Sequence, residues 1–323
     1  MSGKSLSPKT GVIAVTGATG FIGSHLLARL GAENTPTRAL IRYKPNRVAS
    51  APGSTEIVSG SLNDRDALSK LLTGARTCIH LAGATTSINA SGFHSANVIG
   101  TYNMAASAAA AGVEHFICVS SQAARAPRIS DYAASKAMSE SALEPFRADM
   151  RITIIRPPAV IGAGDPMLQP MLDLIRAGWL PAPSEPKRAP RAFAVISVHD
   201  LVSQIVDSIA GSGAGPQFVE PCSVASTNWT DVASATTELL ERNVRIVRLP
   251  PVLMKAAAVL ADGIAKLTRR TFPLSLSKVR ELLAVDWTYD HPIRDAMSLK
   301  EVFEACLDDD LSQDLIQPGK KID

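Results

Sequence analysis

The chain has only four cysteines in 323 residues, and none of them forms a CxxC pair or a Cys/His cluster. This scarcity argues against a structural zinc site, and we expect no bound metal. The chain also lacks a large excess of charge, since 33 Lys and Arg residues face 30 Asp and Glu residues. A dedicated nucleic-acid-binding protein needs clustered positive charge, so we expect no nucleic-acid partner.

Long apolar segments are also missing. No stretch approaches the ~18 apolar residues of a membrane helix, and the most apolar one, residues 252–267, is interrupted by Lys255, Asp262 and Lys266. The first ten residues are polar and lack the apolar core of a signal peptide. We therefore expect a cytoplasmic, reduced protein with no membrane partner. With 46% hydrophobic and 20% charged residues, the composition is that of a globular protein.

The first 160 residues alternate between short β-branched runs and longer helix-like stretches. The predicted strands are 12–16, 38–42, 55–58, 77–81, 115–120 and 151–156, and the predicted helices are 22–30, 64–73, 95–111 and 132–149. Alternation of this kind predicts an α/β fold with a Rossmann-type, doubly wound parallel sheet.

The pattern changes after Arg156, because eight prolines lie between residues 157 and 190 and disfavour central strands. A strand at 193–198 and a helix at 200–210 follow, and we expect them to return to the sheet. The sequence thus predicts a dinucleotide-binding domain of residues 11–162 and 192–212. A smaller, discontinuous substrate-binding domain would comprise 163–191 and 213–323, and its content of Pro, Leu, Met and Ala favours an apolar substrate.

A glycine-rich loop, TGATGFIG, joins the first strand to the first helix at residues 16–23. Gly17 allows the tight turn, Gly20 lets the backbone approach a pyrophosphate, and Gly23 lets the helix pack closely. The helix N-terminus then offers unpaired N–H groups to the anion. Because the loop opens a β-α-β series, its context supports dinucleotide binding.

This loop resembles the cofactor loop of the extended short-chain dehydrogenase/reductase family, also called the NAD-dependent epimerase/dehydratase family. Further family-like motifs follow in order, at CIHLAG (78–83), NVIGTYN (97–103), HFICVSS (115–121), YAASK (132–136) and RPPAVIG (156–162). The resemblance covers residues 11–210. Residues 273–287 loosely resemble the dihydroflavonol-reductase-like and hydroxysteroid-dehydrogenase-like branch.

Tyr132 and Lys136 are four residues apart in a predicted helix and therefore share one face. A nearby ammonium favours the phenolate form of a tyrosine, so the pair suits general acid/base chemistry. The resemblance implies that Tyr132 exchanges a proton with the substrate, that Lys136 also holds the nicotinamide ribose, and that Ser121 stabilises the substrate oxygen. Ser120 is the rival of Ser121 for this role.

The second predicted strand ends at Arg42, with Lys44 and Arg47 close behind and no acidic residue between 35 and 55. An acidic residue there would bind the ribose of NAD, whereas a basic one accommodates the 2′-phosphate of NADP, so we expect NADP to be preferred over NAD. Ser61 stands where family members commonly carry an adenine-contacting aspartate. The predicted cofactor-binding residues are Gly17, Thr19, Gly20, Phe21, Ile22, Gly23, Arg42, Ser61, Leu62, Leu81, Ala82, Gly83, Asn97, Tyr132, Lys136, Pro157 and Val160.

These observations favour an NAD(P)-dependent oxidoreductase that moves a hydride between nicotinamide and a carbonyl or alcohol. One alternative is an NAD-dependent nucleotide-sugar epimerase or dehydratase; a dehydratase normally has an acidic residue beside the serine, whereas Gln122 and Ala123 follow Ser121. A non-catalytic cofactor-sensing or scaffold protein is the alternative from another class. In the family, helices equivalent to 97–111 and 132–149 often form a homodimer, and packing on the sheet is the other interpretation of these helices.

Overall fold

The computed structural model describes residues 11–42, 55–184, 191–210, 218–268, 275–284 and 286–307. The chain divides into two compact units, of which the first spans Met1–Arg156 and Val202–Glu220. The second unit spans Pro157–Leu201 and Pro221–Asp323.

The described strands and helices follow one another along the chain. The strands are β1 (Val12–Thr16), β2 (Thr37–Ile41), β3 (Thr55–Ser59), β4 (Ala75–His80), β5 (His115–Val119), β6 (Arg151–Ile155), β7 (Ala159–Ile161), β8 (Trp179–Pro183), β9 (Ala192–Ser197), β10 (Phe218–Val219), β11 (Val224–Thr227), β12 (Arg245–Leu249) and β13 (Asp286–Trp287). The α-helices are α1 (Phe21–Ala32), α2 (Arg65–Leu72), α3 (Ala90–Phe93), α4 (Gly100–Ala110), α5 (Asp131–Ser141), α6 (Gln169–Arg176), α7 (Val198–Ala210), α8 (Trp229–Leu239), α9 (Pro251–Thr268), α10 (Leu276–Leu283) and α11 (Leu299–Leu307).

The first unit contains a seven-stranded parallel sheet in the order β3-β2-β1-β4-β5-β6-β10. This is the Rossmann strand order, and it confirms the predicted fold class. The order reverses between β1 and β4, and in such sheets ligands bind beyond the carboxyl ends of the strands at this point. Parallel strands covered on both faces are rich in apolar residues and were therefore predictable; β5, for example, is buried throughout and apolar from Phe116 to Val119.

Helices cover the sheet of the first unit. Leu68 and Leu71 of α2 and Met104 of α4 pack with Phe116 of β5 in one buried cluster. This packing fixes the carboxyl ends of the strands, from which the candidate site is built. No helix in the described part of the chain is long and apolar enough to cross a membrane.

The second unit has sheets of its own. Strand β9 pairs with β7, β11 and β13, and β12 pairs in parallel with β8. The strand predicted at 193–198 was expected to return to the large sheet, but the observed strand, β9, does not pair there. An apolar run predicts a buried strand without indicating which sheet it joins. The strand that completes the large sheet is instead the two-residue β10.

Two predicted helices differ from the observed ones. The helix expected at 132–149 ends at Ser141, and a 3₁₀ turn at Glu144–Phe146 follows, with Pro145 in a position where an α-helix would lose a hydrogen bond. The helix expected at 95–111 begins with a π-helical segment, His94–Ile99, before α4.

Candidate functional site

The glycine-rich loop leaves β1 through a turn that other residues tolerate poorly. Gly17 has a φ of +73°, and a Cβ there would lie 2.6 Å from the backbone nitrogen of Ala82. A Cβ on Gly23 would lie 2.1 Å from the carbonyl oxygen of Gly17. The first and third glycines are therefore required by the turn and by the contact of α1 with the loop.

The N-terminus of α1 has backbone N–H groups that can bind an anion. Gly20 is the N-cap residue, and no side chain caps the helix. Thr19 and Gly20 are exposed, while Phe21 and Ile22 form the first helical positions. The unpaired N–H groups and the positive end of the helix dipole fit a pyrophosphate, so the residues present fit a dinucleotide.

Residues 81–83 follow β4 and lie beside the glycine loop, since the amide of residue 81 donates to the Thr16 carbonyl. The Thr16 hydroxyl also contacts Nδ1 of His80 at 2.8 Å, and Nε2 of His80 contacts the hydroxyl of Thr101 at 3.1 Å. Burial, together with the charge of Lys136, lowers the pKa of His80 to about 3. His80 is thus a neutral, buried link between β1, β4 and α4.

Asn97 lies in the π-helical segment and is buried. Its Oδ1 accepts from the amide of Ala84 at 2.7 Å, and its Nδ2 donates to the Ala84 carbonyl and to the hydroxyl of Ser135. A π-helical turn of this kind is often found at functional sites. The amide group of Asn97 joins the loop after β4 to α5, where the predicted catalytic residues lie.

Helix α5 carries Tyr132 and Lys136. Ser130 caps its N-terminus by accepting a hydrogen bond from the amide of Ala133 at 3.0 Å. Tyr132 is half-buried beside Phe93, with ring centroids 5.9 Å apart. Lys136 is buried, and its Nζ donates to the carbonyl of Val119 at 3.0 Å.

The environment of Lys136 opposes its charge. Burial lowers the pKa of the ammonium, while Cys118 and Glu140 act in the opposite direction. A cation held in an apolar setting exerts a stronger field on its neighbours than one in water. The position of Lys136 one helical turn after Tyr132 therefore suits it to stabilise a phenolate.

The two candidate serines that follow β5, Ser120 and Ser121, have different environments. Ser120 is buried, and its hydroxyl donates to Oε1 of Glu140 at 2.5 Å. Ser121 is half-buried, and its hydroxyl oxygen accepts from the amide of Ala123 at 3.2 Å. The hydroxyl proton of Ser120 is thus used inside the protein, which favours Ser121 as the serine that faces a ligand.

Glu140 is a buried residue of the site that is not among the residues predicted from the sequence. Both of its carboxylate oxygens bind Arg156, at 3.0 Å to Nε and 2.6 Å to Nη2. Nη1 of Arg156 is 3.3 Å from Glu220, and its guanidinium lies over the ring of Phe218. Its position in the sequence could have indicated it, because Glu140 is four residues after Lys136 and therefore shares its face of the helix.

The remaining predicted cofactor residues follow β2 and β3 or belong to the second unit. Arg42 follows β2 and is exposed, and no described residue forms an ion pair with it, whereas Lys44 and Arg47 are outside the described residues. After β3, Ser61 accepts from the amide of Asn63. Leu62 contacts α4, because a Cβ on Gly100 would lie 2.7 Å from its Cδ1. Two predicted residues belong to the second unit: Pro157, and Val160 in β7.

Comparison with known proteins gives a consistent result. The model of the NAD dependent epimerase/dehydratase family matches residues 13–177. The ceramide reductase of Caulobacter vibrioides is 35% identical over 279 residues, which cover 86% of this chain and 86% of that protein. A second relative is the 4-hydroxy-2-methyl-3-oxo-4-farnesyl-3,4-dihydroquinoline-1-oxide ketoreductase of Stigmatella aurantiaca. It is 30% identical over 182 residues, or 50% of this chain and 54% of that protein.

Solved structures share the same architecture. The structure described as MoeE5 in complex with UDP-glucuronic acid and NAD has a TM-score of 0.60 and 22% sequence identity. The match covers 73% of this chain and 85% of that one. At this identity the likeness shows the fold alone.

Proposed function

Because the chain belongs to the NAD dependent epimerase/dehydratase family and is an NAD(P)-dependent oxidoreductase of its extended short-chain dehydrogenase/reductase type, we propose that it reduces a ketone with Tyr132 as the proton donor. The observation that carries this proposal is the arrangement at the end of β5. There the buried ammonium of Lys136 donates to the carbonyl of Val119, the last residue of β5. Lys136 lies one helical turn after Tyr132, and Val119 lies two residues before Ser121.

Each residue has a chemical role in the proposed reduction. NAD(P), when bound, supplies the hydride that reduces the carbonyl carbon. Ser121 donates a hydrogen bond to the substrate oxygen and stabilises its developing negative charge. Tyr132 gives its phenolic proton to that oxygen, and Lys136 stabilises the resulting phenolate.

The cofactor would be held by the loop and helix described above. Backbone N–H groups at residues 21–23 would bind the pyrophosphate, since the N–H of Gly20 donates to the Gly17 carbonyl. Lys136 would bind the nicotinamide ribose. We propose NADP as the preferred form, because Arg42 is exposed at the end of β2 and can form a bidentate contact with a 2′-phosphate.

Replacing Arg42 with Ala should raise the KM for NADPH about tenfold or more without changing the KM for NADH. Steady-state kinetics with both cofactors test this, and equal or better efficiency of the wild-type protein with NADH would contradict it.

The substrate is proposed to be a ketone on a large apolar molecule. Two relatives support this proposal by their names, a ceramide reductase and a ketoreductase of a farnesylated dihydroquinoline oxide. We assign substrate recognition mainly to the second unit, whose sequence is rich in apolar residues. Comparing turnover of a long-chain ketone with turnover of a short ketone tests this proposed substrate class.

A homodimer through α4 and α5 is also proposed. Ile99 precedes α4 and is 43% exposed, and Tyr102 of α4 and Met138 of α5 are 48% and 47% exposed. Apolar side chains at such positions suit a helical interface between two copies. Light scattering at micromolar concentration should give twice the chain mass, and a monomer mass would contradict the dimer.

The decisive experiment follows NADPH oxidation with a panel of a long-chain ketone, a short ketone, an aldehyde and UDP-glucose. Tyr132→Phe should lower kcat for the ketone by about 10²–10⁴-fold with a much smaller effect on NADPH binding, because the ring is kept and only the proton-donating hydroxyl is lost. Tyr102→Phe is the matched control, since this tyrosine is exposed on α4. An active Tyr132→Phe protein would refute the mechanism, and isomerisation of UDP-glucose without net oxidation would favour the epimerase alternative.

A further inference from the structure

Helix α9 of the second unit presents an unusual surface. Its buried side packs on α10, through Met254 and Ala258 against Val279. Its other side carries six exposed large apolar residues, Val252, Leu253, Val259, Leu260, Ile264 and Leu267. These six residues form the α9 face.

The α9 face is strongly exposed and continuous. Val252, Leu260 and Leu267 are 76%, 69% and 87% exposed. At roughly 100° per residue, the six positions fall on one half of the helix surface. The exposed residues between them, Ala256, Ala257 and Gly263, add no polar group to this half. Large contiguous apolar patches of this kind mark interaction sites.

The sequence that contains α9 and α10 is rich in positive charge. Of the 33 Lys and Arg residues in the chain, eight lie between positions 245 and 280, against one of the 30 Asp and Glu residues. That one residue, Asp262, accepts a hydrogen bond from the amide of Leu276 and thus belongs to the packing of α10. Lys255 is exposed on α9 itself, where its stem can lie on apolar surface while its ammonium stays in water.

We propose that the α9 face binds the surface of an anionic phospholipid membrane, with α9 lying in the plane of the interface. An apolar helix side inserts between headgroups, and surrounding Lys and Arg residues bind anionic lipids. A second copy of the chain is a poorer occupant, because pairing two α9 faces would bring two basic regions together. The expectation of no membrane partner rested on the absence of a spanning segment, which a helix in the interface does not need.

This inference does not depend on the reductase activity. It would give the protein direct access to molecules dissolved in a bilayer, which is a separate property from the chemistry at Tyr132. Failure of the membrane experiment would therefore leave the proposed function untouched, and loss of activity would leave the membrane result untouched.

The test is co-sedimentation of the full chain with vesicles of phosphatidylcholine alone and of phosphatidylcholine mixed equally with phosphatidylglycerol. The wild-type protein should bind the mixed vesicles, and high salt should weaken this binding. The triple variant L253Q/L260Q/L267Q should bind about tenfold or more weakly, because three exposed leucines no longer enter the interface. Its circular dichroism and its turnover of a water-soluble ketone should be unchanged.

A matched pair of single variants isolates the position of the effect. Leu260→Gln should weaken binding measurably, whereas Leu174→Gln, at another exposed leucine on α6, should not. The proposal is overturned if the wild-type protein stays in the supernatant with both vesicle types, or if the triple variant binds as the wild type does. It is also overturned if light scattering without vesicles shows a dimer that the triple variant dissociates, since a second copy then covers the face.

Discussion

Glu140 shows how one buried charge connects the end of β5 to the end of β6. It accepts from Ser120 and from two nitrogens of Arg156, so both carboxylate oxygens are paired. The bond to Glu140 raises the pKa of Arg156. Because Ser120 directly precedes Ser121, this contact holds the strand end from which the candidate serine projects.

We expect Glu140→Gln to lower the free energy of unfolding by about 3 kcal/mol, since Arg156 then loses its buried carboxylate partner and keeps the more exposed Glu220. Urea denaturation measures this. Glu144→Gln is a matched control, because Glu144 makes a similar two-bond contact with Arg147 on the surface. The control should cost less than about 1 kcal/mol. Equal losses in the two variants would show that burial of Glu140 is unimportant.

Adding a methyl group at Gly23 tests the close contact between α1 and the glycine-rich loop. Gly23→Ala should destabilise the protein by about 1–3 kcal/mol and weaken NADPH binding, because α1 must move away from the loop. Gly263→Ala in α9 is the control, since a Cβ there meets nothing within 4 Å. That variant should be neutral or stabilising. Thermal unfolding and NADPH fluorescence titration measure both, and unchanged NADPH binding in Gly23→Ala would contradict the assigned role of the loop.

Elements of the first unit were predictable to within one or two residues where local pattern determines them. Strand β5 is apolar after His115, and the spacing of Tyr132 and Lys136 places both on one face of α5. The π-helical segment was not predictable, because it depends on contacts of Asn97 with Ala84 and Ser135 that are distant along the chain. The two-residue strand β10 is too short to carry any pattern.

The segment around Asn97 provides a prediction about elements. Asn97→Ala should cost about 2–4 kcal/mol, because the amide and carbonyl of Ala84 lose their buried partner. It should also lower kcat, since the loop after β4 is no longer tied to α5. Asn103→Ala is the control, because this less buried amide bonds to Leu62 and Asn63. Urea denaturation and steady-state kinetics compare the two, and a smaller loss in Asn97→Ala than in the control would contradict the link.

Stability of the whole molecule should depend on pH through its buried histidines. His80 has a folded pKa of about 3, well below its ordinary value of 6.5. The unfolded chain therefore takes up a proton below about pH 6.5 that the folded chain does not, so this contribution to stability is present above that pH and is lost as the pH falls toward 3.

Between pH 7 and pH 5, His80 alone should reduce the free energy of unfolding by about 2 kcal/mol. Urea denaturation at several pH values measures the slope. His80→Gln should lower that slope by nearly one proton. A slope that His80→Gln does not alter would show that His80 is charged in the folded protein.

The position of β10 has a consequence for the order in which the chain folds during synthesis. Six of the seven strands of the large sheet precede residue 157, and the seventh, at Phe218–Val219, follows a long segment of the second unit. A ribosome adding about 5–20 residues per second exposes the first six strands several seconds before the seventh. During that interval the outer edge of β6 is unpaired, and an unpaired edge can join another chain. We therefore expect pairing of the edge of β6 at Ile154 and Ile155 with another chain to be easiest before β10 is synthesised.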